Sequence, residues 1–531
     1  MLYNLNMIKA PPNTKKTNQP PEDYKNSRPN KINLKAASES AANLVGFINN
    51  EYCASRQRML SEKNTQVYRT HFELVLLDLF SAFSSHPKLW IGYSRGKGNF
   101  IDGGRYYNPY TSANPVTQKP FINTINFLAN FGYVENWISN SGYSKISSRM
   151  RATEQLQRYF EQFGLNWTSI REDSEAPVIL VKNDGKIVPY PHEEDFPLEN
   201  AIESIRRVNA NLQGAYLNLD ISDVTFKGLQ DRLLAKKDAD NFENDHREPI
   251  DFSKKQLKRI FANGTFQDGG RIYGGWWQHV PSELRKHVEI DGNMVVELDF
   301  STMAPRVLYA QVGEEAPADS YTLEGWDDSL RPIIKKAFNQ LLNSKEASRN
   351  QNQWHRFAPD IEIEKDRSDL DNHEIRKLCN IEFKNKHGRP YSNLLSDLMN
   401  KHSAIDHLFF TSRWTEMQRI DSDIAETVLT KLLNKDPPIT ALPIHDSFIV
   451  RRGAEDDLRN AMSEAFYELT EVRPKIDKDE AVFDPEKEKA YYPIISGPEI
   501  HDETRQHMLD HSLYHKREGE WLETHGLETF D

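Results

Sequence analysis

The sequence predicts a mixed α+β fold, an antiparallel sheet packed with helices, which follows a mostly helical N-terminal region. The apolar stretch MVVEL, residues 294–298, has the pattern of a strand that gives way to a helix after Asp299. The stretch ITALPIHDSFIVRRG, residues 439–453, has the pattern of a strand, a tight turn and a second strand. Before them, stretches such as YRTHFELVLLDLFSAF, residues 68–83, show the apolar periodicity of amphipathic helices.

Length and composition limit the class of protein. The chain has 531 residues, of which 38% are hydrophobic and 11% aromatic, so it can form roughly two to four domains with a sizeable core. It has no apolar run of about 18 residues and no secretory signal, and its two cysteines cannot form a disulfide framework, so we expect no membrane span and a cytoplasmic location. The net charge of -12 argues against nucleic acid bound over the whole surface, but it allows a local basic groove.

Composition also divides the chain into segments. Residues 1–35 are rich in Pro, Asn and Lys and are expected to form a disordered tail, with a C-terminal tail at 501–531. Residues 40–170 show helices and a hairpin in the order of a winged-helix module, 171–250 form a connecting or thumb-like region, and 251–500 carry the motifs described below. The winged-helix-like region is either nucleic-acid-binding or a helical domain with a solvated charged face. Its basic residues are Arg95, Lys97, Arg105, Lys119, Lys145, Arg149, Arg151 and Arg158.

Asp299 stands where the predicted strand gives way to a helix. An Asp there is commonly a helix N-cap, but it is also a candidate metal ligand if a second carboxylate lies nearby. Asp446, at the tip of the predicted hairpin, is the candidate partner, although Asp is common in turns. Two neighbouring carboxylates repel each other unless cations lie between them, and Mg²⁺ (or Mn²⁺) prefers oxygen ligands.

The two segments that carry these aspartates resemble known catalytic motifs. DFSTMAPRVLYA, residues 299–310, resembles the first catalytic motif of the family A DNA polymerases. IHDSFIV, residues 444–450, resembles the last catalytic motif of that family and, more closely, its form in the single-subunit, phage-type RNA polymerases. The resemblance implies a right-hand polymerase palm on which Asp299 and Asp446 hold two divalent cations, with the Phe300 carbonyl as a third protein ligand.

A third segment, DDSLRPIIKKAFNQLLNS at 327–344, resembles the fingers helix of both polymerase groups, although alone it would be interpreted as a basic surface helix. Arg331 and Lys335 lie one helical turn apart. The resemblance implies that they neutralise the triphosphate and that one protonates the leaving pyrophosphate. It further implies that the nucleotide pocket is lined by Tyr321, Asn339 and Asn343. Because the segment follows the first motif closely, we expect reduced fingers of one or two helices.

Two weaker elements complete the order. GRIY, residues 270–273, resembles an element that both groups place against the template-primer backbone, which implies nucleic-acid binding by Arg271. MQRIDSDIAETVL, residues 417–429, loosely resembles a stretch of the phage-type enzymes through Gln418, Asp421 and Ser422, and it adds Gln418 to the candidate site. His445 is expected either to hydrogen-bond the primer terminus or to orient the hairpin. The resemblance covers residues 265–452.

Two positions depart from the DNA polymerase pattern. The family A enzymes carry a Glu five residues after the first aspartate, where it excludes ribonucleotides, and this chain has Ala304. The Tyr that ends the fingers motif is here Asn343, which can hydrogen-bond a sugar but cannot stack on a template base. Nothing in the sequence resembles the carboxylate set of a proofreading exonuclease.

These features favour a template-directed nucleic-acid polymerase that tolerates ribonucleotides, similar to an RNA polymerase or a primase. Its expected partners are a DNA or RNA template-primer and nucleoside triphosphates, with the oligomeric state left open. Three alternatives remain: a specialised DNA polymerase for plasmid or phage replication or repair, a template-independent nucleotidyltransferase, for example in phage defence, and a non-catalytic DNA-binding replication initiator.

Overall fold

The computed structural model describes residues 19–110, 116–139, 146–193, 195–235, 248–361, 371–478, 506 and 508–530. Within these residues the fold is a mixture of helices and sheets, so the predicted α+β class is confirmed. Buried apolar side chains form two clusters, one mostly from residues 34–170 and one from residues 178–466.

The first cluster belongs to an N-terminal unit that is less helical than predicted. Its helices are α1 (Glu39–Ala54), α2 (Glu62–Ser85), α3 (Gln118–Asn130) and α4 (Glu154–Gln162). Its strands are β1 (Ser27–Pro29), β2 (Leu34–Ala36), β3 (Trp90–Tyr93), β4 (Val134–Trp137), β5 (Ser148–Ala152) and β6 (Ile170–Glu172). One sheet has the order β1-β3-β5-β4, and a smaller sheet pairs β2 with β6.

The predicted N-terminal tail needs correction at its boundary. Residues 1–18 lie outside the described residues, but residues 27–36 form β1 and β2. β1 pairs in parallel with β3, and the buried Arg28 forms an ion pair of 2.6 Å with Asp78 on α2. Composition alone missed this because the order comes from contacts with residues far along the chain.

The winged-helix assignment stays a prediction. α3 ends at Asn130 and is followed by Gly132 with φ +78°, as expected for a helix stop, and β4 pairs antiparallel with β5. The predicted wing between these strands falls largely on residues 140–145, which lie outside the described residues.

The second cluster is built on two sheets and the helices that cover them. The strands are β7 (Ile179–Asn183), β8 (Lys186–Val188), β9 (Leu217–Leu219), β10 (Lys258–Phe261), β11 (Gly269–Tyr273), β12 (Val288–Ile290), β13 (Asn293–Ser301), β14 (Ala441–Ile444), β15 (Ser447–Arg451) and β16 (Lys475–Lys478). The helices are α5 (Leu198–Gly214), α6 (Asp223–Leu234), α7 (Ser282–Arg285), α8 (Met303–Gln311), α9 (Arg331–Asn343), α10 (Asn372–His387), α11 (Tyr391–Lys401), α12 (Trp414–Leu433), α13 (Glu455–Thr470) and α14 (Ser512–His525).

The central sheet has the order β14-β15-β13-β12-β9, and β16 also pairs with β13. A four-stranded sheet beside it has the order β11-β10-β7-β8. Residues 171–250 therefore do not form a separate connecting region, because β9 completes the central sheet and β7 and β8 belong to the four-stranded one. The charged residues 236–247 of that segment lie outside the described residues.

The helical region between β13 and β14 is larger than the one or two helices expected for reduced fingers. α10 and α11 pack with α9, where Phe383 and Tyr391 are buried and the Tyr391 hydroxyl donates a hydrogen bond of 3.0 Å to Gln340 on α9. The expectation of reduced fingers was based on the short separation of Asp299 and Lys335 in the sequence, and it took no account of these apolar faces.

The predicted C-terminal tail, residues 501–531, contains a helix that packs on the protein. In α14, Trp521 is buried and stacks on Trp167 with ring centroids 5.6 Å apart, and Arg517 donates a hydrogen bond of 2.7 Å to Asn218. Across the described part of the chain, every helix is too short or too polar to cross a membrane.

Candidate functional site

The two aspartates singled out from the sequence lie at the same end of two neighbouring strands. β13 runs antiparallel to β15 with Asp299 opposite Ser447, the residue after Asp446. The backbone N–H of Phe300 donates a hydrogen bond of 3.2 Å to the carbonyl oxygen of Asp446. Both aspartates are half-buried. The hairpin β14–β15 therefore brings its tip against the end of β13.

The surroundings of the two aspartates disfavour two negative charges at once. Burial raises the pKa of the Asp299 carboxyl to about 8, the charge of Asp446 adds to this shift, and Lys335 opposes it. Glu297 and Asp477 add further negative charge. Hard oxygen donors that repel each other fit Mg²⁺, which takes its remaining ligands from water and phosphate. Among the described residues, no group of three or more His, Cys, Asp or Glu side chains could hold a metal ion.

A cleft with an open volume of about 590 Å³ begins beside Asp446. Eight residues predicted for the site line it: Arg271, Phe300, Ala304, Tyr321, Lys335, Asn339, Gln418 and Asp446. They come from β11, β13, α8, α9, α12, the loop before α9 and the hairpin tip, so the tertiary fold gathers them from distant parts of the chain.

Asp299 borders a second cleft, which it shares with Asp446 and His445. The other side chains there include two acids, Glu297 and Asp477, and two cations, Arg285 and Lys478. Arg285 forms an ion pair of 2.9 Å with Glu297, and Asp477 lies opposite Asp299 on β16. Asp446 thus belongs to both clefts, and the aspartate pair lies at their junction.

The helix α9 presents its side chains unequally. Lys335 is exposed and lines the cleft, and Asn339 lies one turn further on. Arg331 does not line the cleft, because it forms an ion pair of 3.0 Å with Asp319 and lies 5.5 Å from the centre of the Tyr321 ring. Asn343, the last residue of the helix, is exposed and also lies outside the cleft lining, contrary to its predicted place.

Opposite α9, the cleft wall holds an acid that the sequence did not mark as a site residue. Asp421 on α12 is 8% exposed and forms an ion pair of 3.2 Å with Arg271. Burial raises the pKa of Asp421 to about 7, Arg271 opposes that shift and Asp446 adds to it. Trp414, whose ring centre lies 5.2 Å from the Arg271 guanidinium, and Met417 complete this wall. The only sequence signal for Asp421 was the loose similarity of residues 417–429.

Two residues at the pair have left-handed backbones. His445 has φ +56° in the hairpin turn, and its ring lies 6.1 Å from that of Tyr273. Thr302, also at φ +56°, connects β13 to α8 and lines the cleft. Such conformations are strained for side chains other than Gly and occur often at functional sites.

The β14–β15 hairpin packs on buried tryptophans of the core. Trp276 and Trp277 are fully buried, so they anchor the core and are not available to stack on bases. The Trp277 indole donates a hydrogen bond of 3.1 Å to the Pro443 carbonyl of β14. This contact fixes the strand that leads to Asp446.

Comparisons with known proteins add little to this geometry. No protein-family model and no curated protein matches the chain. Among 55 matching chains of solved structures is the POL domain of Pol1 from M. smegmatis, in complex with DNA primer-template and dNTP. The identity is 10% and the TM-score 0.26, and the match covers 48% of this chain and 50% of that chain. A similarity this low carries no argument, so the functional case depends on the site itself.

Proposed function

We propose that the chain is a nucleotidyltransferase that extends a nucleic-acid strand on a template. The observation that carries this proposal is the position of Asp299 and Asp446, side by side at the ends of paired strands and next to a cleft that exposes Lys335. Two neighbouring acids that repel each other have a chemical use if divalent cations lie between them and a nucleoside triphosphate binds those cations through its phosphates.

In this proposal the cations would be held by Asp299, Asp446 and the Phe300 carbonyl, and they would supply charge neutralisation at the attacking hydroxyl and at the leaving pyrophosphate. Lys335 binds the triphosphate. As the attacking hydroxyl oxygen bonds to the α-phosphorus and loses its proton to water, the bond to pyrophosphate breaks and Lys335 gives a proton to that leaving group. Tyr321 and Asn339 form the nucleotide wall. Arg331 contributes only after the nucleotide competes for its contact with Asp319.

Ala304 is proposed to decide whether the enzyme accepts ribonucleotides. This half-buried residue lines the cleft and leaves room where a longer side chain would meet a 2′-hydroxyl. We therefore favour an enzyme that accepts ribonucleotides. Arg271 and Gln418, on the opposite wall, are proposed to contact the template-primer.

The test combines the purified full-length chain with primed and unprimed templates, all eight nucleotides and Mg²⁺ or Mn²⁺, followed by sequencing of the products. Asp299→Asn and Asp446→Asn should each lower incorporation by at least about a hundredfold while the melting temperature is retained, because the charge stabilisation of the transition state is lost. Asp456→Asn, at an exposed position on α13 away from the clefts, is the charge-matched control. Full activity in either site variant would contradict the proposal.

A further inference from the structure

A second large cleft lies between the N-terminal unit and the four-stranded sheet and has an open volume of about 1730 Å³. Its walls are the loop after β3, the start of β5 and the β7–β8 hairpin. Four cations line it, Arg95, Arg105, Lys182 and Lys186, and none of its lining residues is Asp or Glu. In a chain with a net charge of -12, this composition indicates a site for an anion.

Two of these cations, Lys182 and Arg95, form no ion pair within the part of the chain that the structure describes. Lys182 is half-buried, burial alone lowers its pKa, and within the described residues its ammonium has no ion pair. Arg95 is held by the neutral groups of Tyr93 and Asn126, both at 3.1 Å. A partly buried cation without a counter-ion is unfavourable, and a bound phosphate would remove that cost.

The hairpin that carries the two lysines is fixed to the N-terminal unit. The Tyr110 hydroxyl accepts a hydrogen bond of 2.8 Å from the Val181 N–H and donates one of 2.7 Å to the Val188 carbonyl. The Tyr110 ring also stacks on Tyr190 with centroids 4.1 Å apart. The cleft therefore has two preformed walls.

The four-stranded sheet connects this cleft to the candidate active site. Arg271 lies opposite Ile260, which lies opposite Leu180, and Lys182 is two residues beyond Leu180 on the same face. Residues on this face are half-exposed, whereas their neighbours Val181, Phe261 and Ile272 on the other face are buried. Arg271 and Lys182 are separated by two strand spacings, about 10 Å, and by about 7 Å along the strands.

We propose that the sugar-phosphate backbone of a nucleic-acid strand runs from the candidate active site, across this open face of the sheet, into the basic cleft. The placement of the reacting end rests on the proposed function, whereas the binding by Lys182, Lys186, Arg95 and Arg105 does not. Of the eight basic residues predicted from the sequence of residues 40–170, only Arg95 and Arg105 belong to the basic cleft. Arg149 is buried, and Arg151 and Arg158 form ion pairs with Glu135 and Glu154.

The experiment measures the binding of fluorescent single-stranded and duplex DNA to the full-length protein by anisotropy, in EDTA and over a range of salt concentrations. The Lys182→Gln/Lys186→Gln variant should bind at least about tenfold more weakly near 0.15 M salt, and the slope of log K against log salt should fall by about 2. Lys63→Gln/Lys227→Gln, at two exposed helical lysines, is the charge-matched control and should behave as the wild type. Comparison of the two dissociation constants shows whether the cleft binds single-stranded or duplex DNA more tightly.

A second measurement needs no variant. Bound DNA should protect Lys182 and Lys186, but not Lys63, from acetylation detected by mass spectrometry. The proposal would be overturned if the double variant bound DNA with the affinity and salt slope of the wild type, or if DNA did not protect the two lysines. It would also be overturned if polyglutamate bound as tightly as DNA and with the same dependence on the two lysines. Binding that depends on the two lysines in a protein that incorporates no nucleotide would refute only the proposed function. Primer extension with lysine-independent binding would refute only this inference.

Discussion

At the scale of single residues, the candidate site is governed by the burial of charge. Asp299 and Asp421 both have raised pKa values, about 8 and about 7, because each carboxyl is buried near Asp446. With a pKa of about 8, Asp299 is expected to hold its proton at neutral pH when no metal is bound. Binding of a cation must release that proton, so we expect metal affinity to increase with pH.

Ala304→Glu tests the basis of sugar selection. The longer, charged side chain would extend into the cleft, where it should meet a ribose 2′-hydroxyl. We expect kcat/KM for ribonucleotides to fall at least about tenfold, equivalent to about 1.4 kcal/mol, with a smaller effect on deoxynucleotides. Single-nucleotide kinetics with each sugar measures this, and Ala304→Ser serves as the small-residue control. Equal losses for both sugars would refute the steric argument.

His402 makes the stability dependent on pH. The imidazole is fully buried, where Nε2–H donates to the Ser320 carbonyl at 2.9 Å and Nδ1 accepts from the Tyr309 hydroxyl at 3.1 Å. Burial lowers its pKa from 6.5 to about 4. Between those values the unfolded chain binds a proton that the folded chain does not, so stability should decrease as the pH falls from about 6.5 to 4, by up to about 3 kcal/mol.

Melting temperatures measured across this pH range check the expectation. In His402→Gln the amide can still donate to Ser320, and this component of the pH dependence should disappear. His407→Gln, at an exposed histidine five residues away, should leave it unchanged. The same slope in wild type and His402→Gln would assign the acid sensitivity to other groups.

At the scale of elements, α9 and the β14–β15 hairpin form the site by approaching it from opposite sides. The hairpin and β13 were predictable, because each combines an apolar run with a local turn or break. The packing of α10 and α11 on α9 was not, since it depends on apolar faces that meet only in the tertiary fold. The position of α9 decides that Lys335 faces the cleft and Asn343 does not.

Lys335→Ala tests the role assigned to this helix. If Lys335 binds the triphosphate, we expect KM for nucleotide to increase at least about tenfold, because a charge-assisted contact contributes roughly 1.5–3 kcal/mol. Lys336→Ala is the matched control, since Lys336 is the next residue but forms an ion pair with Asp360 outside the cleft. Steady-state kinetics at limiting nucleotide distinguishes them, and equal KM values in the two variants would argue against the assignment.

At the scale of the whole molecule, the two cores are joined by buried polar contacts. Asp251 accepts from the Lys31 ammonium at 2.8 Å and from the Ser81 hydroxyl at 2.7 Å, both in the N-terminal unit. Lys31 and Asp251 are only 12% and 5% exposed. Removal of one charge would leave the other buried without a partner, which is strongly unfavourable.

Asp251→Asn should therefore destabilise the protein by roughly 3–5 kcal/mol and separate the unfolding of the two cores. Calorimetry should show the N-terminal unit melting at a lower temperature than the rest. Glu283→Gln, which removes an exposed ion pair with Arg232, should cost at most about 1 kcal/mol. If Asp251→Asn still unfolded in a single transition, and its melting temperature fell no more than that of Glu283→Gln, the Lys31–Asp251 contact would not join the two units.

The sequence by itself determined the elements that local patterns encode: β13 up to Asp299, the hairpin with Asp446 at its tip, and the helix that carries Lys335. It could not place the ends of the N-terminal tail, the docked α14 or the cleft that unites Lys182 with Arg95, because those arrangements depend on contacts between segments far apart in the chain. Only the tertiary structure decided which acids lie together and which cations lack a partner. The physical reason is that burial and pairing, which set the charge of each group, are properties of the folded surroundings and not of the neighbouring residues in sequence.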